Sequence, residues 1–215
     1  MISSQPDIFR GISSSEQQQM MECFGAREAH YTAGQTICEY NRSSTLIGIL
    51  KSGSALVVRI DLYGVRTILE TLGPGDVFGE TLAFSGLSED SIAAVCNQDA
   101  AVLFLEYSHI LHPCVKNCPH HMALLENMFH LIAHKSMVLS ERIEVLSRRT
   151  IRDKLLRCFS LLSMHQGSRS FELPFSVSAL ADYICSDRSA MMREMKNMRQ
   201  SGLIETDGRK ITLLL

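Results

Sequence analysis

A short basic segment near the C-terminus carries side chains suited to contact a nucleic acid. Arg188, Ser189, Arg193 and Lys196 fall at spacings that place them largely on one side of a helix. A guanidinium group can donate two hydrogen bonds to guanine O6 and N7, and ammonium and hydroxyl groups bind phosphate oxygens. These side chains therefore predict hydrogen bonding to DNA. The simpler alternative is a solvated basic helix face.

A second group of reactive side chains precedes a long helical pattern. His112, Cys114, Cys118, His120 and His121 lie within ten residues of one another. Thiolates and imidazoles are the ligands of zinc and other soft metals, although a Cys-x3-Cys spacing is not a standard zinc pattern. The two thiols could instead form a redox-sensitive disulfide, or the segment could be an ordinary loop. All three interpretations stay open at this point.

Two helical patterns separated by a tight break would position the basic residues. Ser176 can cap the first helix, in which Leu180, Ala181 and Ile184 recur at helical spacing. Asp187 can cap the second helix, which runs to about Ser201 with an apolar stripe at Met191, Met195 and Met198. A helix, a short turn and a basic second helix describe a helix-turn-helix, whose second helix lies in the major groove of DNA.

The neighbouring sequence strengthens this interpretation. Two β-rich runs flank Asp207-Gly208, a pair that favours a type I′ hairpin turn, so a wing is predicted after the second helix. Residues 147–215 hold 12 Lys and Arg against 7 Asp and Glu, a net charge of +5. Residues 1–146 hold 9 against 16, a net charge of −7. Because phosphate contacts need local positive charge, the asymmetry places DNA binding at the C-terminal end.

One long helix is predicted over residues 119–146, and its heptad pattern favours pairing with a second copy of the chain. An adjacent stripe at Leu124, Leu131, Val138 and Val145 would pack on the chain's own barrel, and the alternative is a helix buried wholly within one subunit. The a and d positions of the seam are Met122, Leu125, Phe129, Ile132, Ser136, Leu139, Ile143 and Leu146. After it, Ser147-Arg148-Arg149-Thr150 reads as a hinge into another helix.

The N-terminal half has the sequence pattern of a small β domain. Short β-rich runs between about Ala26 and Glu106 are separated by turn residues such as Lys51-Ser52-Gly53 and Gly73-Pro74-Gly75-Asp76. Their regular spacing predicts a small antiparallel barrel or jelly roll. The turn chemistry predicts separate strands on the two sides of residues 51–53.

Composition and motifs exclude several classes of protein. The chain of 215 residues is 46% hydrophobic and 20% charged, which predicts a packed core rather than disorder. We see no run long enough to span a membrane and no export leader at the N-terminus.

Seven cysteines without a leader suggest reduced thiols in a cytoplasm. Cys96 and Cys158 lie in apolar runs and are expected in the core. No nucleophile elbow, phosphate-binding loop or carboxylate pair predicts an enzyme.

The order of these parts resembles the Crp/Fnr family of bacterial transcription regulators. The most specific matching segments are Gly73-Pro74-Gly75-Asp76-Val77-Phe78-Gly79-Glu80, Leu180-Ala181-Asp182-Tyr183 and Asp187-Arg188-Ser189-Ala190. The resemblance implies that Arg188, Ser189 and Arg193 face base edges and that Ser176 and Ser178 contact phosphate. Two departures are Cys185, where the turn usually carries Gly, and Met192, where a small residue is usual.

The resemblance also implies an effector pocket, but a departure from the family pattern argues against its usual ligand. In cyclic-nucleotide-binding members an arginine neutralises the phosphate, whereas the matching position here is Asp90, preceded by Glu89. Two carboxylates would repel that phosphate, so we expect that cAMP does not bind in the usual way and leave the effector unassigned. The matching pocket positions are Gly79, Glu80, Thr81, Ser91 and, on the long helix, Ser140.

Taken together, the sequence predicts an α+β protein in three parts. These are an N-terminal sensor β-roll or jelly-roll barrel (1–118), a dimerisation helix (119–146) and a C-terminal winged helix-turn-helix (147–215). The predicted function is a cytoplasmic, homodimeric transcription regulator that binds double-stranded DNA, with a signal received at the sensor domain. The resemblance implies RNA polymerase as a further partner. The alternative is a small-molecule, metal or redox sensing module without productive DNA binding.

Overall fold

The computed structural model describes residues 5–40, 45–64, 66–80, 91–112, 119–174 and 176–214. The chain divides into two compact units, one from Gln5 to His134 and the other containing Lys135 to Leu215. The division falls inside the long helix, so the two ends of that helix belong to different units. Within the described ranges, no helix has both the length and the apolar character needed to cross a membrane.

An antiparallel sheet forms the centre of the N-terminal unit. Strands β3 and β6 pair along almost their whole length, from Leu46 opposite Glu106 to Ile60 opposite Ser91. Strands β1 and β2 add to β6, and β4 and β5 add to β3, so the described strands form an open roll, as predicted, rather than a closed barrel. The strands are β1 (Arg27–Tyr31), β2 (Thr36–Tyr40), β3 (Leu46–Ile60), β4 (Arg66–Leu72), β5 (Val77–Phe78) and β6 (Ser91–Glu106).

Strand β3 is continuous, so the strand break predicted at residues 51–53 was wrong. The register between β3 and β6 shifts between Leu50 and Ala55, which marks an irregular, bulged stretch within one strand. Gly53 has φ +82° there, and a Cβ at this position would collide with the Asp99 carbonyl oxygen. The glycine thus permits a close approach of two strands rather than a chain reversal.

Three helices complete this unit and the segment that leads out of it: α1 (Ser14–Cys23), α2 (Tyr107–Leu111) and α3 (Pro119–Leu146). A capping box starts α1, because the Ser13 amide donates to the Glu16 carboxylate at 2.7 Å. Phe24 from the end of α1, Ile47 from β3 and Leu124 from α3 meet in one buried apolar cluster. The first half of α3 is therefore held against the roll by apolar burial.

The C-terminal unit contains three more helices and a three-stranded sheet. Thr150 caps α4 by accepting the Asp153 amide at 3.1 Å, and Gly167 ends it in a left-handed conformation. The sheet order is β7-β9-β8, so the predicted wing hairpin is extended by a third strand. The elements are α4 (Ile151–Gln166), β7 (Ser170–Glu172), α5 (Val177–Tyr183), α6 (Arg188–Gln200), β8 (Ile204–Asp207) and β9 (Lys210–Leu213).

Candidate nucleic-acid interface

Helices α5 and α6 form the helix-turn-helix that the sequence predicts, and both begin at the predicted caps. Ser176 accepts the Ala179 amide at 3.2 Å, and Asp187 accepts the Ala190 amide at 2.9 Å. Each cap satisfies one of the amides that a helix leaves unpaired in its first turn. Local sequence therefore determines where each helix starts.

The turn between the two helices passes through a left-handed residue. Cys185 has φ +49°, and it is the one non-glycine residue with positive φ in the described part of the chain. Glycine normally occupies such positions because it has no Cβ. The turn therefore keeps the left-handed conformation at the position where the resemblance expects glycine, and Cys185 adopts it at some cost in strain.

One face of α6 is anchored and the other is exposed. Met191, Met195 and Met198 are buried in a core that they share with α4, as their spacing predicts. The opposite side holds the predicted contact residues Arg188, Ser189, Arg193 and Lys196, all of them exposed, and Met192 is exposed beside them. The buried methionines therefore fix the direction in which the basic side chains point.

Two polar contacts hold α4 against the helix-turn-helix. Arg152 Nε donates to Glu194 at 2.6 Å, and this hydrogen bond holds the pKa of Glu194 below its usual value. Lys154 Nζ donates to the carbonyl of Ile184 at 2.9 Å. By contrast, Arg188, Arg193 and Lys196 form no ion pair with any described residue, which leaves their cationic groups available to phosphate and bases.

One side-chain contact ties the wing to α6, and another ties it to β7. Arg199 donates to the Thr206 hydroxyl at 3.2 Å, and Arg209 donates to Glu172 at 2.7 Å. Both predicted phosphate contacts, Ser176 and Ser178, are exposed at the start of α5. The hydroxyl of Ser176 is also engaged in the cap, so the two roles foreseen for it would have to coexist.

The end of α3 contacts the segment that follows it, α4 and α5 through side chains that the sequence analysis did not single out. The carboxylate of Glu144 accepts from Arg148 at 3.0 Å and from Arg157 at 2.7 Å. Glu141 pairs with His165 at 3.0 Å, and the guanidinium of Arg142 lies 5.5 Å from the ring centre of Tyr183. Only the Glu144–Arg148 spacing, i to i+4, could have been read from sequence.

The predicted seam on α3 is largely exposed in the single chain. The exposed fractions are 62% for Met122, 72% for Phe129, 36% for Ile132, 59% for Leu139 and 59% for Ile143. Ser136 is exposed as well, whereas Leu125 and Leu146 are half-buried. A row of large apolar side chains in water is the arrangement that a helical partner would cover.

The neighbouring stripe packs within the chain, with one correction. Leu124 and Leu131 are fully buried against the roll, as predicted, and Val138 is half-buried. Val145 is also fully buried, but in the core of the C-terminal unit (Lys135–Leu215, the DNA-binding unit) rather than on the roll. The reason is length: the helix continues beyond the first unit, so its last turn meets a different core.

The residues of the predicted effector pocket are described only in part. Gly79 has φ +87° after β5, and Glu80 is 2% exposed. Ser140 is exposed, and its hydroxyl donates to the Ser136 carbonyl of its own helix at 3.0 Å. The positions Thr81, Glu89 and Asp90 lie outside the described residues, as does the side chain of Ser91.

Tyr40 packs against one of the predicted pocket positions, Gly79, and the sequence analysis missed this contact. Its side chain is buried, and a Cβ on Gly79 would collide with its hydroxyl group, so ring and backbone are in direct contact. Burial raises the pKa of Tyr40 well above its usual value, and Cys38 and Glu80 raise it further. The phenol is therefore neutral and fills the space beside Gly79.

The cysteine and histidine cluster is also only partly described. Cys114 and Cys118 lie outside the described residues. The three histidines have local partners: His112 bonds the Ser108 carbonyl at 2.8 Å, His120 pairs with Glu16 at 3.2 Å, and buried His121 bonds the Ile110 carbonyl. Across the described ranges, no three His, Cys, Asp or Glu residues are grouped so that they could hold a metal ion.

The cysteines that the structure does describe are all free thiols, namely Cys23, Cys38, Cys96, Cys158 and Cys185. Cys96 is 2% exposed and Cys158 is fully buried, which confirms the prediction that both belong to the core. Burial raises the pKa of Cys158 to about 12. That thiol stays protonated and unreactive at neutral pH.

Comparisons with known proteins agree with this architecture. Residues 28–117 match the cyclic nucleotide-binding domain, and residues 154–214 match the Crp-like helix-turn-helix domain. A Porphyra purpurea protein whose name describes an HTH-type transcriptional regulator (ycf28) is 26% identical over 170 residues, covering 77% of this chain and 69% of that protein.

Two solved structures share the fold at low sequence identity. CprK in complex with OCPA has a TM-score of 0.71 at 13% identity, covering 92% of each chain. The catabolite activator protein of Thermus thermophilus has a TM-score of 0.53 at 20% identity, covering 96% of this chain and 93% of that one. Proteins of this kind are transcription regulators and are generally not enzymes. The chain belongs to the Crp/Fnr family and is a DNA-binding transcription regulator with a sensor domain of the cyclic nucleotide-binding type.

Proposed function

We propose that the chain acts as a homodimer that reads a two-fold symmetric DNA site. The observation that carries this proposal is the α6 surface, where Arg188, Arg193 and Lys196 are exposed above a buried methionine stripe. Arg188, Ser189 and Arg193 would contact base edges, and Lys196, Ser176 and Ser178 would contact phosphates. In a dimer, two such helices would enter successive major grooves about one helical turn apart.

The dimer would form through α3. Its seam of exposed apolar residues lies beside a stripe that is already buried within the chain, so the two faces have separate roles. Knobs-into-holes packing of the seam would remove the exposed residues from water. By resemblance we also propose that the DNA-bound dimer contacts RNA polymerase.

A signal at the sensor domain would act by shifting the population of two arrangements of the DNA-binding unit. The link at residues 147–150 is the non-helical connection between α3 and α4. Glu144 spans that link by pairing with Arg148 and Arg157, so these pairs would have to be kept or broken when the arrangement changes. The two ion pairs are therefore contacts whose energy would differ between the two arrangements.

We propose that the signal is not cAMP bound in the usual way, and the acidic Glu89-Asp90 pair supports this. The neutral ring of Tyr40, packed against Gly79, is a second support, because a ligand at that backbone would have to displace it. Calorimetric titration with cAMP should show no saturable micromolar binding. A redox or metal signal at Cys114 and Cys118 is the alternative, and native mass spectra recorded with and without air would reveal the adduct or the loss of two protons.

DNA recognition can be tested without knowing the target genes. Selection from a random duplex library should enrich a palindromic site. On that site Arg193→Ala should weaken binding by roughly 1–3 kcal/mol while largely sparing random DNA. Arg10→Ala, which removes one positive charge from the other unit, is the matched control. Equal losses on selected and random DNA would contradict a base-reading role for Arg193, and no salt-dependent DNA binding by the wild type would favour a sensing module alone.

A further inference from the structure

A basic groove at the start of the DNA-binding unit is not used by the proposed reading of DNA. It encloses about 810 Å³ between the α3–α4 link, one face of α4 and the ends of β7 and β9. Arg148 and Arg149 come from the link, Arg157 from α4, and Arg169 from the residue before β7. Pockets of this size hold small molecules up to the size of a nucleotide.

The groove keeps a positive charge after its internal ion pairs are counted. Glu144 is shared between Arg148 and Arg157, so one negative charge offsets two positive charges. The carboxylate of Asp153 accepts the Thr150 hydroxyl at 2.7 Å in the α4 cap. Four arginines against two carboxylates leave a net charge of +2.

Two of the four arginines are available to a ligand. Arg149 and Arg169 are exposed, and neither forms an ion pair or a side-chain hydrogen bond with a described residue. Between the basic groups, Ser160 and Ser163 line the same wall of α4 with hydroxyl groups. Planar guanidinium groups and hydroxyls converging on one space are the donor set that binds phosphate oxygens.

The groove lies on the opposite side of α4 from the DNA-binding elements. Its α4 residues at positions 153, 156, 157, 160 and 163 follow one helical face. Leu155, Cys158, Phe159 and Leu162 follow the other face, and they pack with the methionines of α6. Because that core separates the groove from α6, the groove fits a free small anion better than the duplex that α6 would contact.

We infer that this groove binds a small phosphorylated anion carrying two or more linked phosphates, either inorganic or attached to a nucleoside. A ligand bridging Arg149 on the link and Arg169 before β7 would hold the link against the start of β7 within the DNA-binding unit. Bound there, it would favour one arrangement about the link and so regulate DNA binding at a site separate from the sensor roll. This regulatory role rests on the proposed function, whereas the binding itself does not.

The test is calorimetry of the full chain with pyrophosphate, ATP and AMP in turn. We expect one site per chain, with pyrophosphate and ATP binding and AMP about tenfold weaker or worse. Preference for ATP over pyrophosphate would assign a nucleotide, and equal affinity would assign the phosphates alone. In Arg149→Ala/Arg169→Ala the affinity should fall about tenfold or more, since each lost charge-assisted hydrogen bond is worth about that factor.

The matched control is Arg10→Ala/Arg27→Ala, which removes the same charge from the other unit and should bind like the wild type. Equal losses in both double variants would show unspecific charge attraction and overturn the inference, as would the absence of saturable binding. Loss of random-duplex affinity in the groove variant, without any small-anion binding by the wild type, would assign the groove to DNA instead. Failure of the wild type to bind any DNA would refute the proposed function while leaving the calorimetric result intact.

Discussion

Replacing Phe129 by alanine should dissociate the proposed dimer. Phe129 is the most exposed large apolar residue of the α3 seam, at 72%. Its heptad neighbours Met122, Ile132 and Leu139 are also exposed. If α3 pairs with its copy, this ring becomes buried in the interface. Because a symmetric dimer contains two copies of Phe129, the substitution removes two buried rings.

The magnitude follows from the exposed area. A phenylalanine side chain presents about 200 Å², of which 72% is about 145 Å² here. At about 25 cal/mol per Å², full burial would contribute about 3.5 kcal/mol per copy. Because the alanine methyl keeps some contact and the seam can relax, we expect roughly half of the two-copy total, about 3.5 kcal/mol, which raises the dimer Kd roughly three-hundredfold.

Sedimentation velocity over a concentration series measures this Kd directly. Tyr63→Ala is the matched control, since Tyr63 is an aromatic residue with 92% exposure that lies outside α3. It should leave the association unchanged. A wild-type dimer constant in Phe129→Ala, or an equal loss in Tyr63→Ala, would refute pairing through this seam.

Three further predictions concern the DNA-binding unit. Cys185→Gly should raise the free energy of unfolding by about 1 kcal/mol in urea titrations, because φ is +49° at this position, whereas Cys185→Ala should not. Asp187→Ala should lower it by about 1 kcal/mol through loss of the cap to Ala190, and Asp187→Asn should restore most of that loss. Hydrogen bonding from Arg157 lowers the pKa of Glu144 in the folded protein. The Glu144–Arg157 pair therefore stabilises the fold fully above the ordinary glutamate pKa of about 4.3. This stabilisation is lost as the pH falls through the lower pKa that Glu144 has in the folded state. In Glu144→Gln, urea midpoints measured from about pH 6 to about pH 3 should lack that part of the acid dependence, and an unchanged profile would show that the pair contributes nothing.

Features with strong local signals were predictable from the chain alone. The caps at Ser176 and Asp187 and the methionine stripe of α6 appear where the sequence places them, because capping and helical periodicity depend on residues within a few positions of one another. The heptad spacing of the α3 seam is likewise a local pattern, and in the structure most of its large apolar residues are exposed.

Signals that depend on a distant neighbour were misread or missed. Gly53 is a turn residue by type, yet it lies within one long strand because the Asp99 carbonyl approaches it from β6. No sequence pattern singles out Tyr40, and its position against Gly79 follows only from the folding of the roll. Neither contact leaves a periodic trace in the sequence.

The sequence by itself determined the two helices of the helix-turn-helix, the side chains that face outward from them and the separation of acidic and basic halves. Each of these is a local or additive property of the chain. Only the tertiary structure brought Arg149 and Arg169 to one groove across twenty residues of chain. It also decided that Glu144 would meet Arg157. Such convergences arise when separate elements pack around a shared core, and burial of that core, rather than any local preference, sets where the polar groups on its outside come to lie.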